Sequence, residues 1–124
     1  GIFMDAKYRD EFHVEDLHLA LRVVTTVTSH RPGQIVTDAG FKTLSAHHGP
    51  PLVLSHEGIV LEYLSAEHGV YSVARDRNLP ALGERLELAL GYTDSTTVLH
   101  NQIFGVREGV VETIFPLEGR GLLT

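Results

Sequence analysis

The sequence has 124 residues and lacks several things outright: it has no cysteine, no tryptophan and only two lysines, Lys7 and Lys42. Without cysteine there is no disulfide, no thiolate nucleophile and no cysteine-ligated zinc. No basic cluster occurs and the formal net charge is −6. An acidic chain without Lys/Arg patches is a poor ligand for nucleic acid or an anionic membrane, because phosphate contacts need cations. No apolar run approaches the ~18 residues of a membrane span, and no secretory leader pattern opens the chain. Long stretches of helical periodicity are absent too. So are a glycine-rich phosphate loop, a G-x-S-x-G elbow and an H-E-x-x-H metal motif. No self-sufficient catalytic motif is present, and the default expectation is part of a cytoplasmic enzyme.

What is present is strand pattern and turn punctuation. The length suits one domain with a real core. Hydrophobic residues make up 43% and charged residues 21%, ordinary values for a globular protein. "LHLALRVVTTVTS" (17–29) alternates with period two and predicts a long strand. Arg31-Pro32-Gly33 then signals a turn, and "QIVTDAG" (34–40) predicts the strand that pairs back. "FKTLSAHHGPP" reads as loop. Gly58 to Val73 predicts two strands with a turn near Glu67-His68-Gly69. A turn at Gly83 precedes a strand with Leu86, Leu88 and Leu90 on one face. "QIFGVREGVVETIFPLEG" predicts a hairpin turning at Arg107-Glu108-Gly109, where glycine supplies a positive φ. A turn or two of helix fits only Tyr8 to His13. About eight short strands predict an all-β barrel or sandwich. The chain opens on Gly1, abruptly and in strand-like sequence, which creates the expectation that it is a piece of something longer.

Candidate sites are sparse. His47 and His48 are adjacent on a loop, where extended backbone sends neighbours to opposite sides; they read as solvated. Glu67 beside His68 reads either as an acid/base pair or as a polar turn. Asp38-Ala39-Gly40 fits a tight turn whose aspartate bonds backbone amides. Neither lysine sits in an obviously buried context, so neither suits a Schiff base. Tyr92-Thr93-Asp94 has the i, i+2 spacing that puts two side chains on one side of extended backbone. An oxygen pair of this kind favours magnesium or manganese over zinc. Asp94-Ser95-Thr96-Thr97 fits equally a cap or hydroxyl-bonded turn, and His100 fits a satisfied polar residue at a strand start.

Three segments together, "ALRVVTTVTSHRPGQIVTDAGFKTLS", "LSAEHG" and "GYTDSTTVLHNQIFGVREGVVETIFPLEGRG", resemble the C-terminal β-domain of the D-serine dehydratase / D-threonine aldolase family, pyridoxal-phosphate enzymes of the alanine-racemase fold type. The resemblance covers nearly all of residues 1–124. It implies a partner α/β-barrel domain that carries the cofactor and its Schiff-base lysine. It further implies a head-to-tail homodimer in which the β-domain walls an active site for small D-amino acids. Non-catalytic service as a dimerisation or ligand-binding barrel, or a place in a racemase, are the alternatives. The resemblance also implies a metal pair, H-x-C or H-x-D, for manganese, magnesium or zinc near the substrate's β-hydroxyl. Asp94 falls at the second ligand, but Tyr92 falls where the first, a histidine, belongs. Ser95 and Thr96 fall on the Pro-Thr turn, and His100 and Asn101 on the "LHD"-like continuation. Glu67, His68 and Gly69 match an active-site "EHG" turn, while Asp38, Gly40 and Lys42 match "DAG-K". The resemblance thus points to Tyr92, His68 and Glu67 as catalytic candidates and to Asp94 with Tyr92 as metal candidates, with no cofactor-binding residue in this chain. By analogy with alanine racemases, Tyr92 is also a candidate acid/base group.

Overall fold

A computed structural model describes residues 3–122. Its elements are α1 (Ala6–Phe12), β1 (Arg22–Arg31), β2 (Gln34–Thr37), β3 (Leu52–Val53), β4 (Ile59–Leu64), β5 (Gly69–Val73), β6 (Arg85–Ala89), α2 (Thr93–Thr97), β7 (Gln102–Arg107) and β8 (Val110–Pro116). Six strands form one antiparallel sheet in the order β3-β6-β1-β2-β5-β4. Its edges β3 and β4 approach each other, so the sheet nearly closes into a barrel. The all-β expectation holds.

Alternation places the core. In β1 the side chains of Val23, Thr25 and Val27 are buried while Arg22, Val24 and Thr26 are not. Leu86 and Leu88 of β6 and Leu90 just beyond it point inward with Ile35, Leu44, Tyr71 and Val73. Each buried aliphatic side chain contributes ~1.5–3 kcal/mol of transfer free energy. The β1–β2 turn uses Gly33 at φ 78°, and the β7–β8 turn uses Glu108 at φ 50° and Gly109 at φ 78°, the two positive φ angles that a tight hairpin favours.

The fold departs from the sequence reading in several places, among them the second strand, which ends at Thr37 and not Gly40. The first strand starts at Arg22, not Leu17, and Leu17 is exposed. Arg22 already pairs with Ala89, the last residue of β6, so residues before it have no ladder to join. The strand-like start of the chain lies partly on residues 1 and 2, outside the described residues, and gives way to helix at Ala6. That helix begins two residues earlier than expected because Asp5 caps it, accepting from the Tyr8 amide at 3.0 Å. Finally, Thr93–Thr97 is a helical turn rather than extended backbone.

The β7–β8 hairpin stands apart as its own two-stranded sheet. Its cross-strand pairs Phe104–Ile114 and Val106–Val111 leave all four side chains more than half exposed. A two-stranded ribbon is marginal alone in water, and an apolar surface of this kind marks a face made for contact.

Candidate functional site

The site is built on the exit from β6. Leu90 and Gly91 continue the strand line, and their carbonyls accept from the Ala6 and Lys7 amides at 2.9 and 3.3 Å. Two of the N–H groups that every helix start leaves unpaired are satisfied in this way, and α1 is docked beside Tyr92. On the other flank, a Cβ added to Gly91 would lie 2.6 Å from the Gly49 carbonyl carbon and 3.0 Å from the Pro50 oxygen. Only glycine allows this approach. It brings the loop carrying His47 and His48 against the segment.

Tyr92 stands in extended backbone (φ −145°, ψ 120°) immediately before α2. Its hydroxyl donates to Asp94 Oδ2 at 3.0 Å. His48 meets its ring edge-on at 4.9 Å between centroids, and His47 packs on His48 at 4.5 Å. The hydrogen bond to Asp94, reinforced by that carboxylate's charge, raises the Tyr92 pKa, so the phenol keeps its proton and acts as a donor. Lys7, Tyr8, Phe12, His48 and Tyr92 together line a shallow, open cleft of about 250 Å³. It has the size for an amino acid, one ammonium to hold a carboxylate, and a phenol to meet a polar oxygen.

Helix α2 is rich in residues of modest helix propensity and is held by its surroundings. The Thr93 amide donates to Asp5 Oδ2 at 3.4 Å. Thr96 is buried and its hydroxyl accepts from the Ser45 amide at 3.1 Å. The Ser95 and Thr97 hydroxyls donate back to the carbonyls of Tyr92 and Asp94 at 3.3 and 3.0 Å. The hydroxyl-bonded turn read from the sequence is therefore present, tightened into helix. His100 is satisfied as expected, its Nε2 lying 2.8 Å from the Thr43 carbonyl oxygen.

Glu67 and His68 sit elsewhere, on an exposed turn closed by a bond from the Ser65 amide to the His68 carbonyl at 2.8 Å. Neither lines the Tyr92 cleft. Glu67 makes an ion pair with Lys42. The amides of Phe41 and Lys42 donate to the carbonyls of Ser65 and Ala66 at 2.8 and 3.3 Å, zipping "DAG-K" onto "EHG". Asp38 does what its turn predicts: one carboxylate oxygen accepts from the Thr26 amide at 2.8 Å and the Thr25 hydroxyl at 2.7 Å. The structure thus joins Tyr92 with Asp94 and groups Glu67 with Lys42. It adds four residues to the Tyr92 site that local sequence did not offer: Lys7, Tyr8, Phe12 and His48. The available signal was Gly91 before Tyr92 and Gly49 after His48, a pair marking close backbone approach.

The metal implied by the resemblance does not fit these residues. Tyr92 presents a protonated phenol, which is a donor and not a ligand, and its hydrogen bond is already donated to Asp94. Zinc sites draw on Cys, His, Asp and Glu, and among the described residues no three such groups converge. Nor does either lysine suit a Schiff base. Lys42 is 61% exposed and paired with Glu67, and Lys7 lies 3.7 Å from Glu11 at the surface; neither is the desolvated amine that the chemistry needs.

Comparison with known proteins supports the family that the motifs suggest. A family described as "Putative serine dehydratase domain" matches residues 20–106. D-threonine aldolase from Arthrobacter sp is 37% identical over 82% of this chain, which spans 27% of that enzyme. 3-Hydroxy-D-aspartate aldolase from Paracoccus denitrificans is 35% identical over 96% of the chain and 32% of its own length. The crystal structure of D-threonine aldolase from Filomicrobium marinum superposes with a TM-score of 0.85 at 35% identity, over 96% of this chain and 34% of that one. The chain therefore spans about a third of the length of the relatives it matches. A match across most of the barrel and α2, in sequence and in fold, makes this chain a member of the D-serine dehydratase / D-threonine aldolase family, as its C-terminal β-domain.

Proposed function

We propose that this domain walls the active site of a pyridoxal-phosphate-dependent lyase that acts on D-β-hydroxy amino acids, of D-threonine aldolase or D-serine dehydratase type. The observation that carries the reading is the Tyr92 cleft: an amino-acid-sized hollow with a phenol oxygen, an imidazole and one ammonium, on the segment that the family resemblance singles out. An α/β-barrel domain of the same polypeptide supplies the cofactor and its lysine, and a homodimer completes the site. The cofactor provides the electron sink for the Cα carbanion. This domain supplies orientation. Tyr92 presents its phenol oxygen as an acceptor for the distal hydroxyl of the substrate, Lys7 holds a carboxylate, and Tyr8 and Phe12 exclude water. Glu67 and His68 act at one remove, anchoring the loop that runs from Gly40 to His48. The exposed hairpin supports the same reading, since β7 and β8 need a surface to cover them.

The test uses the intact polypeptide loaded with pyridoxal phosphate and offered D-threonine, D-serine and 3-hydroxy-D-aspartate. Glycine plus an aldehyde or keto acid identifies retro-aldol cleavage. Ammonia plus a 2-oxo acid identifies dehydration. An L-amino acid identifies a racemase, and no turnover of any of them favours a non-catalytic barrel; either result removes the proposal.

A further inference from the structure

We infer that Tyr92 and Asp94 form a metal-free hydrogen-bonding site for the β-oxygen of the substrate, occupying the place where the family resemblance puts a divalent cation. The inference rests on the function proposed above and concerns what does the work at that position. Three observations carry it. The Tyr92 hydroxyl donates to Asp94 Oδ2 at 3.0 Å, so the two side chains are spent on each other and do not converge on a common ion. The ring of Tyr92 is fixed from the side by His48, 4.9 Å away, which gives the phenol one orientation. The backbone turns from extended at Tyr92 into helix at Thr93, and this turn pairs the two side chains directly.

The chemistry then differs in kind from that of a Lewis acid. A dication binds an oxygen through its lone pairs and favours an anionic one. A phenol–carboxylate pair is a net monoanion that offers hydrogen-bond geometry, so it favours a neutral hydroxyl. Asp94 takes the hydrogen bond of the phenol's one proton and so orients it, and the Tyr92 oxygen makes the contact by accepting from the substrate's hydroxyl. Preorganised hydrogen-bonding groups of this sort are worth ~10²–10³ in rate when one is removed. Among the described residues Lys7 is the single lysine or arginine lining the cleft, and it provides the positive charge that a bound amino acid's carboxylate needs.

The experiment measures metal and rate separately, on the intact polypeptide purified with and without a chelator. Elemental analysis of the wild type is expected to find well under one divalent ion per chain, with turnover unchanged by chelator or by added manganese or zinc. Tyr92→His is expected to gain affinity for zinc, by at least the roughly 10-fold that even outer-shell partners of metal sites carry. Tyr92→Phe is expected to bind no metal and to lose about 10²-fold in kcat. A stoichiometric ion in the wild type that Asp94→Ala removes overturns the inference. So does Tyr92→His without gain of zinc in a protein whose circular dichroism is unchanged, and so does Tyr92→Phe with full activity. If no β-hydroxy amino acid is turned over, the functional reading and the substrate contact fall together, and the metal analysis still decides whether Tyr92 has closed the cation site.

Discussion

The backbone of Gly40 lies so near His68 that a Cβ built on the glycine would sit 2.5 Å from the His68 amide nitrogen. The contact locks the loop after β2 onto the turn between β4 and β5. Both partners are backbone, so neither can rotate away. Gly40→Ala is therefore expected to destabilise the protein by about 3 kcal/mol, the upper end of ordinary overpacking. The midpoint of urea unfolding measures it. A shift smaller than that of an exposed Gly119→Ala control contradicts the account, since a Cβ at Gly119 meets nothing within 4 Å.

Asp38 gives the fold an acid limit. Burial alone would raise its pKa, but the Thr26 amide and the Thr25 hydroxyl favour the charged form and leave it below the ordinary value. The folded pKa thus lies under the unfolded one of about 3.9. The stabilisation is complete above that value and disappears as pH falls through the folded pKa. Asp38 is solvent-exposed, so the effect is on the order of 1 kcal/mol at most. Stability of Asp38→Asn measured beside wild type from pH 7 to pH 2 should show a gap that narrows below about pH 4.

Strand alternation made most of this barrel legible, because each buried strand shows one face to the core. Val23, Val27, Leu86 and Leu88 point inward as their spacing predicts. The same rule overextended β1 to Leu17, since alternation says nothing about whether a neighbouring strand exists; β6 ends opposite Arg22. The candidate site was half legible. Tyr92 and Asp94 are two residues apart and meet through a local bond. His48 and Lys7 reach Tyr92 from segments distant in sequence, through contacts with Gly91 that leave no periodic trace. Helix α2 was hidden for a related reason: its stability comes from Asp5 and Ser45, not from its own propensities.

Tyr71 gives the fold an alkaline limit. It is fully buried, and its hydroxyl and that of Thr37 have no hydrogen-bond partner among the described residues. Burial pushes its pKa up to about 12; Thr37 acts slightly in the other direction, lying near without reaching hydrogen-bond geometry. The unfolded phenol, near 10, loses its proton first, so stability falls as pH rises from there towards the folded value. Tyr71→Phe should abolish that fall. At pH 7 it should be neutral or stabilising by up to about 1 kcal/mol, because it removes an unsatisfied polar group without changing shape. A large loss at pH 7 would reveal a partner for the hydroxyl.

Asp5 couples α1 to α2. It is almost wholly buried, with Oδ1 on the Tyr8 amide and Oδ2 on the Thr93 amide. Asp5→Ala removes a helix cap, worth ~1 kcal/mol, and strands a buried N–H, costing ~1–3 kcal/mol more. Asp5→Asn should recover only part of this, because one side of the carboxamide is a donor facing a donor. Hydrogen exchange at Tyr8 and Thr93 should rise together in Asp5→Ala; exchange at Tyr8 alone would separate the two helices.

Gly91 is expected to matter more than the histidine it admits. His48→Ala deletes an edge-on aromatic contact worth ~0.5–1.5 kcal/mol and leaves the backbone where it is, so kcat/KM of the intact protein on the proposed β-hydroxy amino acid should fall by about tenfold or less. Gly91→Ala places a methyl against Gly49 and Pro50 and must push the His48 loop away from the strand that carries Tyr92 and anchors Lys7. Displacing a positioning group by about 1 Å costs on the order of 10²-fold in rate. The two variants compared under one condition separate the ring contact from the backbone approach. Equal losses would assign the whole effect to the His48 ring, and a larger loss for Gly91→Ala would assign it to the glycine that holds the two segments together.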